Sequence, residues 1–409
     1  MITLDNSVLQ LIAGLTSKDV ARPIEVKDRS TDNTIAISKE VLLWAVGCSG
    51  RSISEIEGKD IGINLSAWID ESKKPTLKQL QTFADRTYTS VPLLLLNHPV
   101  EEELPIKDFR LLSDNTSHQP TRNLLDTIYD CKLKQDWYRV YCVNEGLDKL
   151  DIVRRFTPNQ DYRDVAQKLN DYFSFSDKTS DYSKYVSLIE NKGILVMSTS
   201  TVKGNTHRKL SLEDARGFAL HDEYAPVIFV NADESVNGKK FTLMHELAHI
   251  VIGASGISNN YTSQKIKDKT EIWCNKVATE ILVPENSFRD SYLPDNIDPF
   301  SCMEDMAEKF KVSTLVIMLR ILELGYYKGI EKDFWQKFAA EKIRLIKELN
   351  NKTSDGGNFY NNVPSRNSKR LCEVLLNYTL ADKTLYRDTM KLLNIHKPQT
   401  LNKLMSRFL

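Results

Sequence analysis

Six cysteines are scattered over 409 residues, and no two of them stand in a CxxC pair. That excludes a cysteine-built zinc ribbon and argues against a disulfide framework, so a reducing, cytoplasmic compartment is expected. Long apolar runs are missing too. The longest, VPLLLL at 91–96, falls far short of the roughly 20 residues that cross a bilayer, and no membrane partner is expected. The opening MITLDNSVLQLIAGLTSKD carries acids early and no extended apolar core, unlike a signal peptide. Net charge is absent as well. Lys plus Arg and Asp plus Glu each count 55, which removes any global electrostatic argument about partners. The balance breaks only locally: residues 331–409 hold fifteen Lys or Arg against eight Asp or Glu, about +7 against about −7 for the remainder. A solvated helical surface accounts for that basic face more simply than nucleic acid does.

With neither repeats nor low-complexity stretches, a chain of this length is expected to divide into two or three domains. Residues 1–35 read as a variable extension ending in the polar DRSTDNT. Over 36–100 come five short helical segments, among them SKEVLLWAV, SISEIEGK, INLSAWI and TLKQLQTFADRTY, broken at Gly50, Gly62 and Lys73-Lys74-Pro75. They predict a small helix-turn-helix bundle with Trp44 and Trp68 in its core. Residues 101–180 read as a helical connecting region, with LLDTIYDCKLKQDWYRVYCV as its clearest helix. Over 181–290 the character changes. KGILVMST and APVIFVN are compact β-branched runs and predict strands, with the shorter RGFAL a third candidate. FTLMHELAHIVI follows with a period near 3.6 and an apolar stripe of Phe241, Met244, Leu247, Ala248 and Val251, ending at Gly253. Residues 291–409 return to helix. The fold class expected is α+β, mostly helical, with a short sheet backing one functional helix.

Histidine is scarce, seven in all, yet His245 and His249 stand four apart with Glu246 between them. On a helix, positions i and i+4 project from one face about 5–6 Å apart. Both imidazoles can therefore reach one ion at roughly 2.0–2.1 Å, a geometry that suits zinc. Glu246 lies beside the pair, able to take a proton from a water on the metal without being a ligand. Two surface histidines would be the bland alternative, but the flanking residues are apolar and would bury unpaired imidazoles at a cost. A catalytic zinc needs a third protein ligand, and TEIWCNKVATEILVP supplies Glu271, with Asn275 four residues on to hydrogen-bond a ligand imidazole. Asp268 and Glu280 are the other candidates. Glu280 falls on a different helical face and reads as a solvated charge.

These stretches resemble the ImmA/IrrE family of zinc-dependent endopeptidases. RGFAL with PVIFVN, FTLMHELAHIVIG and EIWCNKVATEILVP carry the likeness. It implies a zincin-like domain with His245, His249 and Glu271 as Zn2+ ligands and Glu246 as base. Trp273 and Cys274 stand where the family usually has Glu and Ala; neither is an expected ligand. LLWAVGCSGRSISEIEGKD and the residues after it resemble the XRE-type helix-turn-helix that many long members carry upstream, and EELPIKDFR their usual connection. GGNFYNNVPSRNSKRLCEVLL with TLYRDTMKLLNI resembles the C-terminal helical region of the same architecture. The resemblance implies a protein substrate, a repressor or antitoxin-like helix-turn-helix regulator, often in stress responses. The rival is a regulator without proteolysis that uses zinc structurally. Direct DNA binding is disfavoured, because residues 53–72 set Glu55, Glu57, Asp60, Asp70 and Glu71 against Lys59 alone. Weaker candidates complete the reading. His221 and Tyr224, ahead of a strand, are candidate oxyanion donors, and Arg216 a residue that steadies the sheet or binds a carboxylate. His98, His118, His207 and His396 read as surface residues.

Overall fold

The computed structural model describes residues 34–58, 62–100, 120–175, 181–254, 256–258, 269–292, 298–329, 331–350 and 359–408. Most of the 1–35 extension, the EELPIKDFR connection, His118 and Asp268 lie outside them. The described residues form two compact units, parted between Asp126 and Thr127. No helix among them is long and apolar enough to cross a membrane.

Among its described residues the first unit holds the helices α1 (Lys39–Ser49), α2 (Ile53–Ile56), α3 (Leu65–Ile69), α4 (Leu77–Thr87) and α5 (Val91–Leu94). Their starts follow the capping chemistry of the sequence. Ser52 and Glu55 form a capping box, Thr76 and Gln79 another, and Asn64 accepts from the Ala67 amide. Leu42, Ile56, Leu65, Trp68, Leu80, Phe83 and Leu94 make the core. Trp68 meets Phe83 edge-on at 5.8 Å, while Trp44 packs half-buried against the cluster. Several of the acids that make residues 53–72 negative serve the unit's backbone. Glu55, Glu57 and Asp70 accept from the amides of Ser52, Ser66 and Ser72.

Helix α6 (Arg122–Asn144) spans the division, and the second unit continues with α7 (Tyr162–Phe173) and α8 (Tyr182–Asn191). Strands β1 (Leu195–Thr199), β2 (Gly217–Leu220) and β3 (Val227–Asn231) follow, then α9 (Val236–Ile252), β4 (Gly256–Ser258) and α10 (Lys269–Leu282). The sheet order is β1-β3-β2-β4, with β1 and β3 parallel and the other pairs antiparallel. Helix α9 packs on β2 and β3 and is flanked by α8 and α10. It begins five residues before the predicted Phe241, because Ser235 caps it by accepting from the Gly238 amide; it ends at Gly253 as expected, in the left-handed region. Every residue from Lys240 to Val251 is buried, so this helix is enclosed on all sides rather than one-faced.

Helices α11 (Glu285–Arg289), α12 (Met303–Phe310), α13 (Thr314–Glu323) and α14 (Glu331–Asn350) extend the same core, which runs without a break from Ile152 to Phe338. Helices α15 (Phe359–Asn367), α16 (Lys369–Leu380), α17 (Tyr386–Leu392) and α18 (Pro398–Phe408) complete the unit. Helix α15 lies along β1, the outer strand of the sheet, and the Ser365 hydroxyl donates to the Ser198 carbonyl at 3.5 Å. Ser368 caps α16 and also hydrogen-bonds the buried Glu190 of α8. Helix α6, expected as a connection, is a strut. Tyr138 accepts from Arg370 Nε at 2.6 Å, Asp130 from Asn394 at 3.1 Å, and Tyr378 packs against Trp137 and Tyr141.

Candidate metal centre

Helix α9 presents His245 and His249, and α10, packed against it, presents Glu271 from its first turn. The imidazole Nε2 atoms stand 3.1 Å apart. His245 Nε2 is 3.2 Å from Glu271 Oε2, and His249 Nε2 is 3.1 Å from Glu271 Oε1. Ligands at 2.0–2.1 Å on a tetrahedral ion stand about 3.3–3.4 Å apart. Both imidazole nitrogens and the Glu271 carboxylate therefore already stand close to the spacing of ligands on one ion, and an N,N,O set is what zinc accepts. Among the described residues this is the one cluster of three His, Cys, Asp or Glu donors so arranged. His245 and His249 are essentially fully buried, whereas the Glu271 side chain is 20% exposed, so solvent approaches from the α10 side.

Charge follows this geometry. Burial alone would raise the Glu271 carboxyl, but the two imidazoles hydrogen-bonded to it hold it well below the usual carboxylate range. Burial pushes His245 down, opposed by Glu271, so the ring favours the neutral form a ligand needs. The Asn275 side chain, four residues on from Glu271, acts on the same imidazole and favours its charged form. Cys274 is fully buried beside His249, and burial raises its thiol.

Glu246 is fully buried on the strand-facing side of α9. Gly217, at the start of β2, leaves the room it occupies: a Cβ there would stand 3.1 Å from Glu246 Oε1 and 2.5 Å from Thr242 Cγ2. Nothing local in RGFAL signals that contact, because it exists only once helix and strand are packed. Asn231, at the end of β3, was likewise unmarked in sequence. Its buried amide donates to the carbonyls of Leu210, Ser211 and Ala215, fixing the approach to β2. Arg216 pairs with Glu234 at the entry to α9, so it steadies the sheet–helix junction and its charge is engaged within the fold.

Other sequence expectations fall elsewhere. Glu280 does lie off the metal face, but it is not a solvated charge. It pairs at 2.6 Å with Arg320, itself fully buried, and its other oxygen accepts from the Glu285 amide. The partner lies forty residues downstream, out of reach of any periodicity. His221 and Tyr224 sit in the turn after β2, roughly 13 Å farther along the strand direction than Gly217. His221 Nε2 meets Arg154 at 2.9 Å, and the Tyr224 ring lies 5.9 Å from both Arg139 and Lys149. That turn is held by α6: Gln135 donates to the Leu220 and Ala225 carbonyls at 2.9 Å, and Arg139 pairs with Asp222. The described contacts bring neither residue to the three donors. His98, His207 and His396 are exposed.

Residues 189–322 match the family model of the IrrE N-terminal-like domain, Peptidase_M78, and residues 367–407 match a domain of unknown function, DUF8813. No curated protein matches the chain. The first match runs from the end of α8 to near the end of α13 and so includes both helices of the donor cluster. It supports a peptidase, and a metallopeptidase-like function, for this part of the chain.

Proposed function

We propose that the chain is a zinc-dependent endopeptidase of the ImmA/IrrE type that hydrolyses a peptide bond in a protein partner. The observation that carries this reading is the convergence of His245, His249 and Glu271 within 3.1–3.2 Å of one another, with Glu246 next to the first ligand. Zinc held there would supply Lewis acidity and lower the pKa of a water to about 7. The remaining work belongs to the chain. His245, His249 and Glu271 hold the ion, and Asn275 orients the first imidazole. Glu246 takes the proton of the attacking water on its carboxylate and returns it to the departing amine nitrogen. Enclosure of α9 keeps that transfer away from bulk water, where the charges would be screened. A purely structural zinc would call for a fourth protein ligand; the cluster among the described residues has three.

The partner we propose is a repressor or antitoxin-like helix-turn-helix regulator, on the strength of the family resemblance. The first unit is read as XRE-like, and as a protein-interaction module rather than a DNA reader, since its acids outnumber its bases where a duplex would dock. A cytoplasmic setting agrees with six cysteines that are all free thiols. Elemental mass spectrometry on wild type, His245→Ala, Glu271→Ala and Glu246→Gln tests the site. The expected result is about one zinc per chain, lost in the two ligand variants and kept in Glu246→Gln, which alone loses hydrolysis while holding metal. Zinc unaffected by Glu271→Ala, or absent throughout, would sink the reading.

A further inference from the structure

We propose that Gly217 is a positioning residue for Glu246: the bare backbone at this point of β2 forms the wall against which the carboxylate is placed. The inference rests on reading Glu246 as the base. Gly217 is fixed from both sides, paired with Val230 of β3 and with Ser258 of β4. Its neighbour Arg216 is tied twice, through its side chain to Glu234 and through its carbonyl to the Asn231 amide at 2.8 Å. The strand therefore cannot retreat from α9. Across from it stand Thr242 and Glu246, one helical turn apart on the same face.

A Cβ on residue 217 would lie 2.5 Å from Thr242 Cγ2, 2.8 Å from the Phe229 carbonyl oxygen and 3.1 Å from Glu246 Oε1. Phe229 contributes backbone, and Thr242 is β-branched and stiff at χ1, so neither gives way readily. Glu246 has the one flexible side chain among the three, so its carboxylate is the group that moves aside. The metal donors lie toward α10 instead, where Glu271 bridges both histidines. One added methyl group should thus displace the base and leave the ligands in place. No conformational demand explains this glycine, since its φ is not positive; what it provides is space.

The test uses full-length, zinc-loaded protein as wild type, Gly217→Ala and Gly217→Ala with Thr242→Ser, assayed on fluorescein-labelled casein with zinc content measured in parallel. Gly217→Ala should keep about one zinc and the wild-type KM while kcat falls by about 10-fold or more, since misplacing a reacting group costs rate steeply. Serine lacks the Cγ2 that makes the closest contact, so the double variant should recover part of kcat. Unchanged kcat in Gly217→Ala, zinc lost along with turnover, or no recovery in the double variant would overturn the proposal. Should wild type leave casein intact, turnover of casein cannot report on the base. A crystal structure of Gly217→Ala then decides the positioning: a displaced Glu246 carboxylate beside an intact donor cluster supports it, and an unmoved one refutes it.

Discussion

Replacing Arg320 by Met should be among the most damaging single changes in the chain. The guanidinium is fully buried and donates to Glu280 at 2.6 Å, to Glu323 at 2.7 Å and to the Val283 carbonyl. Both carboxylates are themselves mostly enclosed, with side chains 13% and 11% exposed. Methionine fills similar space but leaves two negative charges without a counter-ion, and breaking a buried pair in this way costs about 3–5 kcal/mol. For a unit of this size each kcal/mol lowers Tm by about 2–4 °C, so a drop of roughly 6–20 °C is expected by calorimetry on the full-length chain. The stated cause has its own control. Arg320→Met combined with Glu280→Gln and Glu323→Gln removes the stranded charges together with the guanidinium, and should regain most of the loss. A single variant unfolding within about 2 °C of wild type would refute the assignment of Arg320 as the hub, and a triple variant no better than the single would refute the charge argument. Glu280 also shares α10 with Glu271, so weaker zinc retention should accompany the loss of stability.

Two further outcomes follow from buried polar groups. Burial holds the Glu190 carboxyl above its usual range, against the Ser368 hydroxyl and the amides of Val196, Arg370 and Lys369, which favour the charged form. A raised carboxyl pKa contributes stability below the unfolded value of about 4.3 and loses it as pH rises through the folded value. Wild type should therefore lose Tm relative to Glu190→Gln as pH rises above about 4.3, and a difference with the opposite slope would contradict the account. Asn231→Ala leaves three carbonyls at the approach to β2 without their donor and should cost about 1–3 kcal/mol in urea unfolding. Asn231→Asp, which sets a carboxylate against the same carbonyls, should be worse; equal or greater stability in either variant would show that the amide contacts contribute nothing.

What the sequence disclosed was what local periodicity encodes. The i,i+4 spacing of His245 and His249, and of Glu271 and Asn275, is a property of single helices, and so could be read before any packing was known. The β-branched runs disclosed β1 and β3 for the same reason, and the short RGFAL disclosed β2. Strand β4 escaped because three residues are too few to show alternation. Gly217 escaped because its role lies in the gap between strand and helix. Glu280 was misread as solvated because Arg320, forty residues later, supplies its counter-ion. The turn bearing His221 and Tyr224 looked free to serve the site, yet Gln135, some 85 residues earlier, grips it from α6. In each case the deciding partner is distant in the chain, where propensity and spacing carry no information.

The placement of α15 along β1 has a consequence for the life of the protein after synthesis. An uncovered outer strand is a template on which other chains can add, and β1 reads LVMST, three apolar residues in a row with no charge to deter pairing. The segment that shields it arrives only at residue 359, long after the strand has left the ribosome. During synthesis, and in any product clipped ahead of α15, that edge stands open to neighbouring chains. Solubility of the whole chain is thus entrusted to a helix near its far end, well away from the chemistry it protects.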